Sequence, residues 1–190
     1  MRRGYVRDAS ERDIGLHLET ALRGVVIGER WPKSAADVVI TVLEGEEDGA
    51  GGNGGNWGML SVLAGCITAA SAAIVDAGID CVDLVSGGVA AIAMDGGKEE
   101  VVVDPMPAEH EIKAACLVAY LQSRDEITEM WMKGDAGVEM EGLIDQAVRS
   151  ATLSRSVLAE AVRESAEAKL GASGGQAAAG NGKKDAVMTG

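Results

Sequence analysis

The stretch Thr68–Val85 reads TAASAAIVDAGIDCVDLV and sits where a predicted helix gives way to a predicted strand. The helix, Met59–Ala77, is very rich in alanine, and its apolar residues recur at helical spacing. Gly78 ends the helix, and Asp83-Leu-Val begins the next strand. Residues on the predicted buried side are Leu60, Leu63, Ile67, Ala70 and Ile74. So many small residues indicate close contact with a sheet or another helix.

Downstream of this stretch, the sequence predicts two hairpins and a long helix. The first hairpin is predicted to turn at Asp95-Gly-Gly, a sequence typical of hairpin turns, and the second at Ser123-Arg-Asp-Glu. The predicted strands are Val89–Met94, Glu100–Val103, Ile112–Gln122 and Ile127–Lys133. A helix follows over Met140–Leu170, and the Gly-, Ala-, Ser- and Lys-rich residues 171–190 are expected to form a disordered tail. This gives one domain over residues 1–170.

Upstream, an amphipathic helix is predicted over Asp8–Ile27, ended by Gly28 and barred from resuming by Pro32. The β-branched run Asp37–Leu43 (DVVITVL) predicts a short buried strand. The order helix, strand, helix, two hairpins, helix indicates an α+β, or mixed α/β, domain with its helices on one side of the sheet.

The loop Glu44–Gly58 is acidic and glycine-rich. Its composition is typical of a surface insertion, since it has almost nothing to bury. A phosphate cradle is the alternative, but no Gly-Lys-Ser/Thr follows, and the acidic run at its start would repel phosphate.

The chain has 190 residues, 47% of them hydrophobic and none of them Phe. Its 17 basic and 30 acidic residues give a net charge of −13, which argues against a free-standing binder of duplex DNA. The basic cluster comprises Arg2, Arg3, Arg7 and Arg12. We expect no signal peptide, no membrane-spanning run and no membrane partner, hence a soluble intracellular protein. The cysteines, expected to be buried thiols in a reducing compartment, are Cys66, Cys81 and Cys116.

Three stretches together resemble the RNase PH-like family, whose fold is that of ribosomal protein S5 domain 2. They are Glu11-Arg-Asp-Ile with Trp31-Pro-Lys-Ser and the following predicted strand, the Thr68–Val85 stretch, and Val103-Asp-Pro before Glu109. An alanine-rich helix closed by Asp-Ala-Gly and followed by Asp-Leu-Val is close to a family hallmark. Family members carry several strands before the first helix. The resemblance therefore implies a domain that is incomplete at the N-terminus.

Active members of the family cleave RNA by phosphorolysis, and the resemblance locates their functional positions in this chain. The segment matching their phosphate site, Trp57–Leu63, contains no Arg or Lys, although Asn56 and Ser61 offer hydrogen bonds. Of two aspartates six residues apart, the first is retained as Asp104 and the second position is His110, with Glu109 beside it. Asp104 fits a turn residue better than a catalyst, and His110 a surface side chain better than a ligand.

An arginine pair that helps active members bind RNA is half retained, because Glu11 precedes Arg12. The resemblance thus implies a non-catalytic ring subunit of the eukaryotic RNA exosome, without cofactor or metal. Its partners would be other RNase PH-like subunits in a hexameric ring and RNA, contacted through Arg7 and Arg12, in the nucleus, nucleolus and cytoplasm. An active phosphate-dependent 3′-to-5′ exoribonuclease, or half of a composite site, is the alternative. Nothing in the sequence supports a third reading, a small-molecule enzyme on the same fold.

Overall fold

The computed structural model describes residues 9–45 and 56–180, and side chains over 11–45 and 56–171. The described chain forms three α-helices and four strands. In chain order these are α1 (Ala9–Arg23), α2 (Gly58–Asp76), β1 (Val85–Asp95), β2 (Lys98–Val103), β3 (Glu111–Leu121), β4 (Glu126–Gly134) and α3 (Met140–Gly180). The mixed helix-and-sheet class, the alanine-rich helix and both hairpins are confirmed.

The described strands form one antiparallel sheet in the order β2-β1-β3-β4. At the first hairpin Asp95 pairs with Lys98 across Gly96 and Gly97, whose φ angles are 55° and 82°. Positive φ at both central residues is what a two-residue type I′ turn requires, and glycine adopts it without steric cost. The Asp-Gly-Gly signal therefore predicted this turn correctly.

The two central strands, β1 and β3, are buried on both faces. One face packs against α1 and α2, and the opposite face packs against α3 through Leu143, Ala147 and Ala151. The expectation that all helices lie on one side of the sheet is wrong. Continuous apolar runs such as VSGGVAAIAM bury alternate residues on opposite faces, so each face needs its own covering layer.

Two adjacent glycines set how closely the helices approach β1. A Cβ on Gly87 would lie 2.4 Å from the carbonyl oxygen of Ala64 in α2. A Cβ on Gly88 would lie 2.2 Å from the backbone nitrogen of Ala151 in α3. Because neighbouring strand residues face opposite sides, the pair lets one helix touch the strand backbone on each face. The close contact predicted from the small residues of α2 is confirmed here.

At the end of β1 that β2 does not reach, side chains of α2 accept hydrogen bonds from the outer edge of β1. The backbone N–H groups of Val85 and Gly87 donate to the hydroxyls of Ser71 and Thr68, each at 3.0 Å. Those hydroxyls satisfy buried strand donors that would otherwise cost free energy. The alanine-rich helix therefore supplies hydrogen bonds as well as close packing.

The Asp-Ala-Gly ending of α2 is a Schellman cap. Gly78 has φ 76°, its N–H donates to the carbonyl of Val75, and Ile79 donates to the carbonyl of Ile74. Asp76, just before the cap, accepts hydrogen bonds from Ser165 and Lys169 of α3 at 2.9 and 2.6 Å. The Lys169 bond, then the Ser165 bond, hold the pKa of Asp76 below its ordinary value.

Asp83 joins three parts of the fold. Its carboxylate accepts hydrogen bonds from Arg155 of α3 at 2.7 Å and from the N–H groups of Leu84 at 2.7 Å and Ser123 at 3.2 Å. Partial burial acts to raise the pKa of this carboxyl, but the Arg155 and Leu84 bonds outweigh it, so the pKa lies below its ordinary value. Two of the three aspartates of the Thr68–Val85 stretch, Asp76 and Asp83, thus bind α3.

The first helix ends at Arg23, four residues before its predicted end. The chain beyond it leaves the helix to pair with the segment that precedes β1. Ile27 donates to the carbonyl of Asp80, and Val82 donates to that of Val25, both at 2.9 Å. These long-range bonds compete successfully with the last helical turn. The predicted start at Asp8 lies outside the described residues.

The predicted buried strand Asp37–Leu43 is wrong. The described structure assigns no strand there, and Val39 and Leu43 are 88% and 94% exposed. The segment has the composition of a strand but no neighbouring strand among the described residues. Its side chains therefore stay largely in solvent.

The long helix α3 continues beyond its predicted end at Leu170 to Gly180. Residues 181–190 lie outside the described residues, so the division into a domain over 1–170 and a tail over 171–190 stays a prediction. Cys66 and Cys116 are buried, as expected, whereas Cys81 is half-buried, and all three are free thiols. Burial raises the pKa of Cys116 to about 11.

By length and composition alone, one described helix, α2, could cross a membrane. The expectation that no apolar stretch is long enough is therefore wrong. Leu60, Leu63 and Ile67 of this helix are fully buried in the core, and core helices pass the same compositional test.

Candidate functional site

The start of α2 is the position that corresponds to the phosphate site of active family members. No Arg or Lys lies on the helix, as the sequence indicated. Asn56, just before it, adopts φ 47°, and its backbone carbonyl accepts a hydrogen bond from Lys133 at 3.0 Å. A cation from a distant strand therefore approaches this helix start, and the local sequence around Trp57–Leu63 could not reveal it.

Three side chains of β4 line up on the face that α1 and α2 cover. Glu129 accepts a hydrogen bond from His17 of α1, with 2.8 Å between Nδ1 and Oε1. The His17 ring stacks on Trp131 with centroids 4.4 Å apart. Lys133 lies 4.8 Å from the centroid of the same indole. The period-two spacing of Glu129, Trp131 and Lys133 was the available signal, but only the fold shows what faces it.

These contacts give the cluster two structural roles. The His17 contacts fix α1 on the edge strand, and Lys133 fixes the chain entering α2 through the Asn56 carbonyl. The sequence around His17 carries no signal of its contacts with β4. No titratable cluster able to hold a metal ion occurs within residues 9–45 and 56–180.

Asp104 occupies the turn that follows β2. It is exposed, has φ 51°, and its N–H donates to the carbonyl of Val89 at 2.9 Å. Aspartate is one of the few residues besides glycine that tolerate this left-handed conformation. Asp104 therefore lies in a turn, and its role in the site stays a prediction.

His110 begins the approach to β3 and is half-buried. Its N–H donates to the carbonyl of Met106 at 3.2 Å. No hydrogen bond or ion pair joins the side chains of Asp104, Glu109 and His110 in the described structure. The six-residue spacing is thus present without a formed carboxylate–histidine pair.

The arginine cluster is only partly described. Arg12 lies in the first turns of α1 with an exposed side chain, and Arg2, Arg3 and Arg7 lie outside the described residues. Glu11, the other member of the half-retained pair, makes a contact of its own. The described structure brings neither Asp104 nor His110 into contact with Arg12.

Comparison with known proteins gives a family match, curated relatives and a structural neighbour. A family model described as "3' exoribonuclease family, domain 1" (RNase_PH) matches residues 1–80. The chain is 49% identical over 172 residues to the exosome complex component MTR3 of Chaetomium thermophilum, covering 86% of this chain and 61% of that protein. It is 28% identical over 166 residues to the exosome complex component mtr3 of Schizosaccharomyces pombe, covering 85% and 60%.

The fold has a solved counterpart in the crystal structure of rice (Oryza sativa) Rrp46. That structure superposes with a TM-score of 0.64 at 18% identity and covers 84% of this chain and 68% of the rice chain. At this identity the likeness concerns the fold alone. The chain spans about three-fifths of the length of the two curated relatives. The family match over residues 1–80, the curated relatives and the shared fold agree with the resemblance to the RNase PH-like family that the Thr68–Val85 stretch carries.

Proposed function

We propose that this chain is a non-catalytic RNase PH-like subunit of an RNA exosome ring, supporting 3′-to-5′ RNA processing through assembly and RNA guidance. The observation that carries the proposal is the start of α2, which holds no Arg or Lys of its own where an active site needs charged phosphate ligands. The turn role of Asp104 supports it, because that carboxylate has no partner acid or histidine side chain in contact among the described residues. The curated relatives named as exosome components support the assembly.

The partners that follow from this proposal are other RNase PH-like subunits in a hexameric ring, and RNA. Neither a cofactor nor a membrane is needed. An exosome subunit of this kind would work in the nucleus, including the nucleolus, and in the cytoplasm. Immunofluorescence of the tagged chain tests the location, and a signal confined to another organelle would exclude it.

The alternative is an active phosphate-dependent exoribonuclease, or half of a composite active site completed by a neighbour. One observation favours it: Lys133 brings a positive charge to the carbonyl of Asn56, beside the start of α2. However, this ammonium group already donates to a carbonyl and lies over the Trp131 ring. It is therefore engaged in holding the fold.

A phosphorolysis assay separates the two functions. The purified chain, and the chain assembled with RNase PH-like partners, are incubated with single-stranded RNA, phosphate and Mg²⁺. We expect no release of nucleoside diphosphates that depends on this chain. Release that is lost in Asp104→Asn but kept in Glu100→Gln, an exposed acid on β2, would overturn the non-catalytic assignment.

RNA guidance is tested by the salt dependence of binding. Each phosphate neutralised on a single strand contributes about 0.7 to the slope of log affinity against log salt. In the assembled ring, Arg7→Ala and Arg12→Ala are expected to weaken binding to all sequences alike and to lower that slope. Arg23→Ala is the matched control, because Arg23 lies on the same helix but is paired with Glu19. Unchanged affinity and slope in both test variants would leave a purely architectural subunit.

A further inference from the structure

The last part of α3 is held to the fold differently from the rest of the helix. Up to Leu158 the helix buries apolar side chains, and Leu143, Ala147 and Ala151 pack against the sheet. Over residues 159–171, hereafter the distal segment of α3, no side chain is buried, and Val162 is only half-buried. Burial of apolar surface therefore contributes much less to the position of the distal segment than to that of the preceding turns.

The distal segment is joined to the end of α2 through Asp76. The hydroxyl of Ser165 donates to Oδ1 of Asp76 at 2.9 Å, and Nζ of Lys169 donates to the same oxygen at 2.6 Å. Lys169 also donates to the backbone carbonyl of Asp76 at 3.2 Å. The ion pairs of Arg163, with Glu160 and Glu167, stay within the distal segment. Three hydrogen bonds between the two helices thus converge on one residue.

Asp76 is locally unfavourable at its place in α2. The free carbonyl groups at the C-terminal end of a helix favour nearby cations, and an aspartate there adds like charge. The last turn of α2 contains no basic residue. Lys169 supplies the missing cation from α3 and contacts both the carboxylate and the carbonyl group. The same ammonium group therefore stabilises the end of α2 and attaches the distal segment of α3.

This attachment is open to solvent. The side chains of Lys169 and Asp76 are 57% and 48% exposed. An exposed ion pair contributes little to stability and is weakened further by salt. The distal segment is consequently attached by a contact that a change of charge can remove without disturbing the buried core.

We infer that the distal segment of α3 is a detachable arm, held on α2 by the Lys169–Asp76 pair and released when either charge is neutralised. The sheet and the preceding turns of α3 stay folded when the arm separates, because the buried side chains of α3 end at Leu158. Modification of the Lys169 amine to an amide, or a partner carboxylate that competes for it, would release the arm. The inference rests on contacts within this chain and is independent of the proposed function.

The first test removes the positive charge with Lys169→Gln. A helical end of about 12–15 residues without tertiary contacts is marginal in water, so release should appear as faster hydrogen exchange. We expect amides of residues 163–171 to exchange about two- to fivefold faster, the range that the loss of an exposed pair supports. Amides of residues 143–151 should be unchanged. Exchange read by NMR, with backbone order parameters of the same residues, measures both.

The matched control is Lys113→Gln, which removes another exposed ion pair, with Glu99 on the sheet. It should leave the exchange of residues 163–171 unchanged. Raising the salt from about 0.01 M to about 1 M shortens the Debye length from roughly 30 Å to roughly 3 Å. In the parent chain this should accelerate exchange of the distal segment, whereas in Lys169→Gln it should add little.

A charge swap separates attachment from a change in local helix propensity. Asp76→Lys and Lys169→Asp each place like charges opposite one another and should release the arm further than Lys169→Gln does. The double variant restores an opposite pair and should return exchange toward the parent rate. Distal-segment exchange that is equal in the parent and all variants would overturn the inference, since half-buried apolar contacts would then hold the segment. Equal acceleration over residues 143–151 would also overturn it, because α3 would then move as one unit.

Discussion

The strand β1 and the 37–43 segment are both predominantly apolar, but only β1 forms a buried strand. Both are rich in small or β-branched apolar residues and have acids near their ends. β1 pairs with two strands, packs against a helix on each face, and is almost entirely buried. The 37–43 segment has no strand neighbour among the described residues and exposes most of its apolar side chains.

This difference shows that residues of high β propensity form a strand only where neighbouring strands and helices pack against them. β1 is fixed by contacts that come from far along the chain, including the hydroxyls of α2 and the backbone of α3. Its burial could be deduced only by knowing that both helices flank it. Similar substitutions in the two regions should therefore have very different effects on stability.

The largest effect is expected from Ile67→Asp in α2, beneath β1. Ile67 is fully buried in the core that joins α1, α2 and the sheet, so the change buries a carboxylate without a partner. We expect a loss of more than about 4 kcal/mol in the free energy of unfolding, enough to unfold a domain of ordinary stability. Circular dichroism during thermal melting measures this. Parent-like melting would show that the face assignment is wrong.

A second large effect is expected from Gly88→Val in β1. The new Cβ would meet backbone atoms of Ala147 and Ala151 at 2.3 and 2.2 Å, and backbone cannot rotate away as a flexible side chain can. We expect a loss of about 3 kcal/mol, measured by urea denaturation. Gly65→Ala, on an open face of α2, is the control and should be neutral or slightly stabilising. Equal stability of both variants would contradict the close approach of α3.

A smaller, pH-dependent effect is expected from Asp83→Asn. The change weakens the bonds from Arg155 and from two backbone N–H groups, which should cost about 2 kcal/mol at neutral pH. Because the folded-state pKa lies below the ordinary value, Asp83 stabilises the fold above about pH 4 and loses this contribution as pH falls through its folded pKa. The variant should therefore lose part of the parent's acid sensitivity.

The control for Asp83 is Asp76→Asn, which removes the charge of the exposed pair with Lys169. Exposed pairs contribute little because solvent screens them, so this variant should stay much closer to the parent. Urea denaturation from pH 3 to pH 7 measures both variants. A parent-like pH slope in Asp83→Asn would contradict the role assigned to Asp83.

The smallest effect is expected from Val39→Asp in the 37–43 segment. The substitution introduces the same carboxylate as Ile67→Asp, but at a side chain that is 88% exposed. The free energy of unfolding should change by no more than about 0.5 kcal/mol. Thermal melting beside Ile67→Asp makes the comparison direct. A large destabilisation would mean that this segment is covered in the folded chain.

Local signals were enough to predict much of the fold. The alanine-rich helix, its Gly78 cap and the Asp-Gly-Gly turn depend on residues close in sequence, and all three are confirmed. The predictions that were wrong concern features that depend on residues distant in sequence. The end of α1 is set by backbone pairing with residues 80–82. The position of α3 is set by the second apolar face of β1. Residues 37–43 form no strand because no neighbouring strand lies beside them in the described part of the chain.

Some features of the candidate site could likewise be predicted from the local sequence, and others could not. The lack of Arg and Lys at the start of α2 can be read directly from the sequence, as can the Asp104 turn. The approach of Lys133 to Asn56 joins residues 77 positions apart, and the stacking of His17 on Trp131 joins residues 114 positions apart. No local pattern fixes such pairs, because they depend on the packing of α1 and α2 against β4.

The rate at which Cys116 is chemically labelled can report on the packing of α3 against the sheet. Its thiol is fully buried beneath α3, and with a pKa of about 11 it carries almost no thiolate at neutral pH. The thiolate is the reactive form, so oxidants and alkylating reagents modify Cys116 only during openings that expose it. Its rate of labelling therefore reports how often α3 and the sheet separate. While α3 stays packed on the sheet, the Cys116 thiol does not react with these reagents.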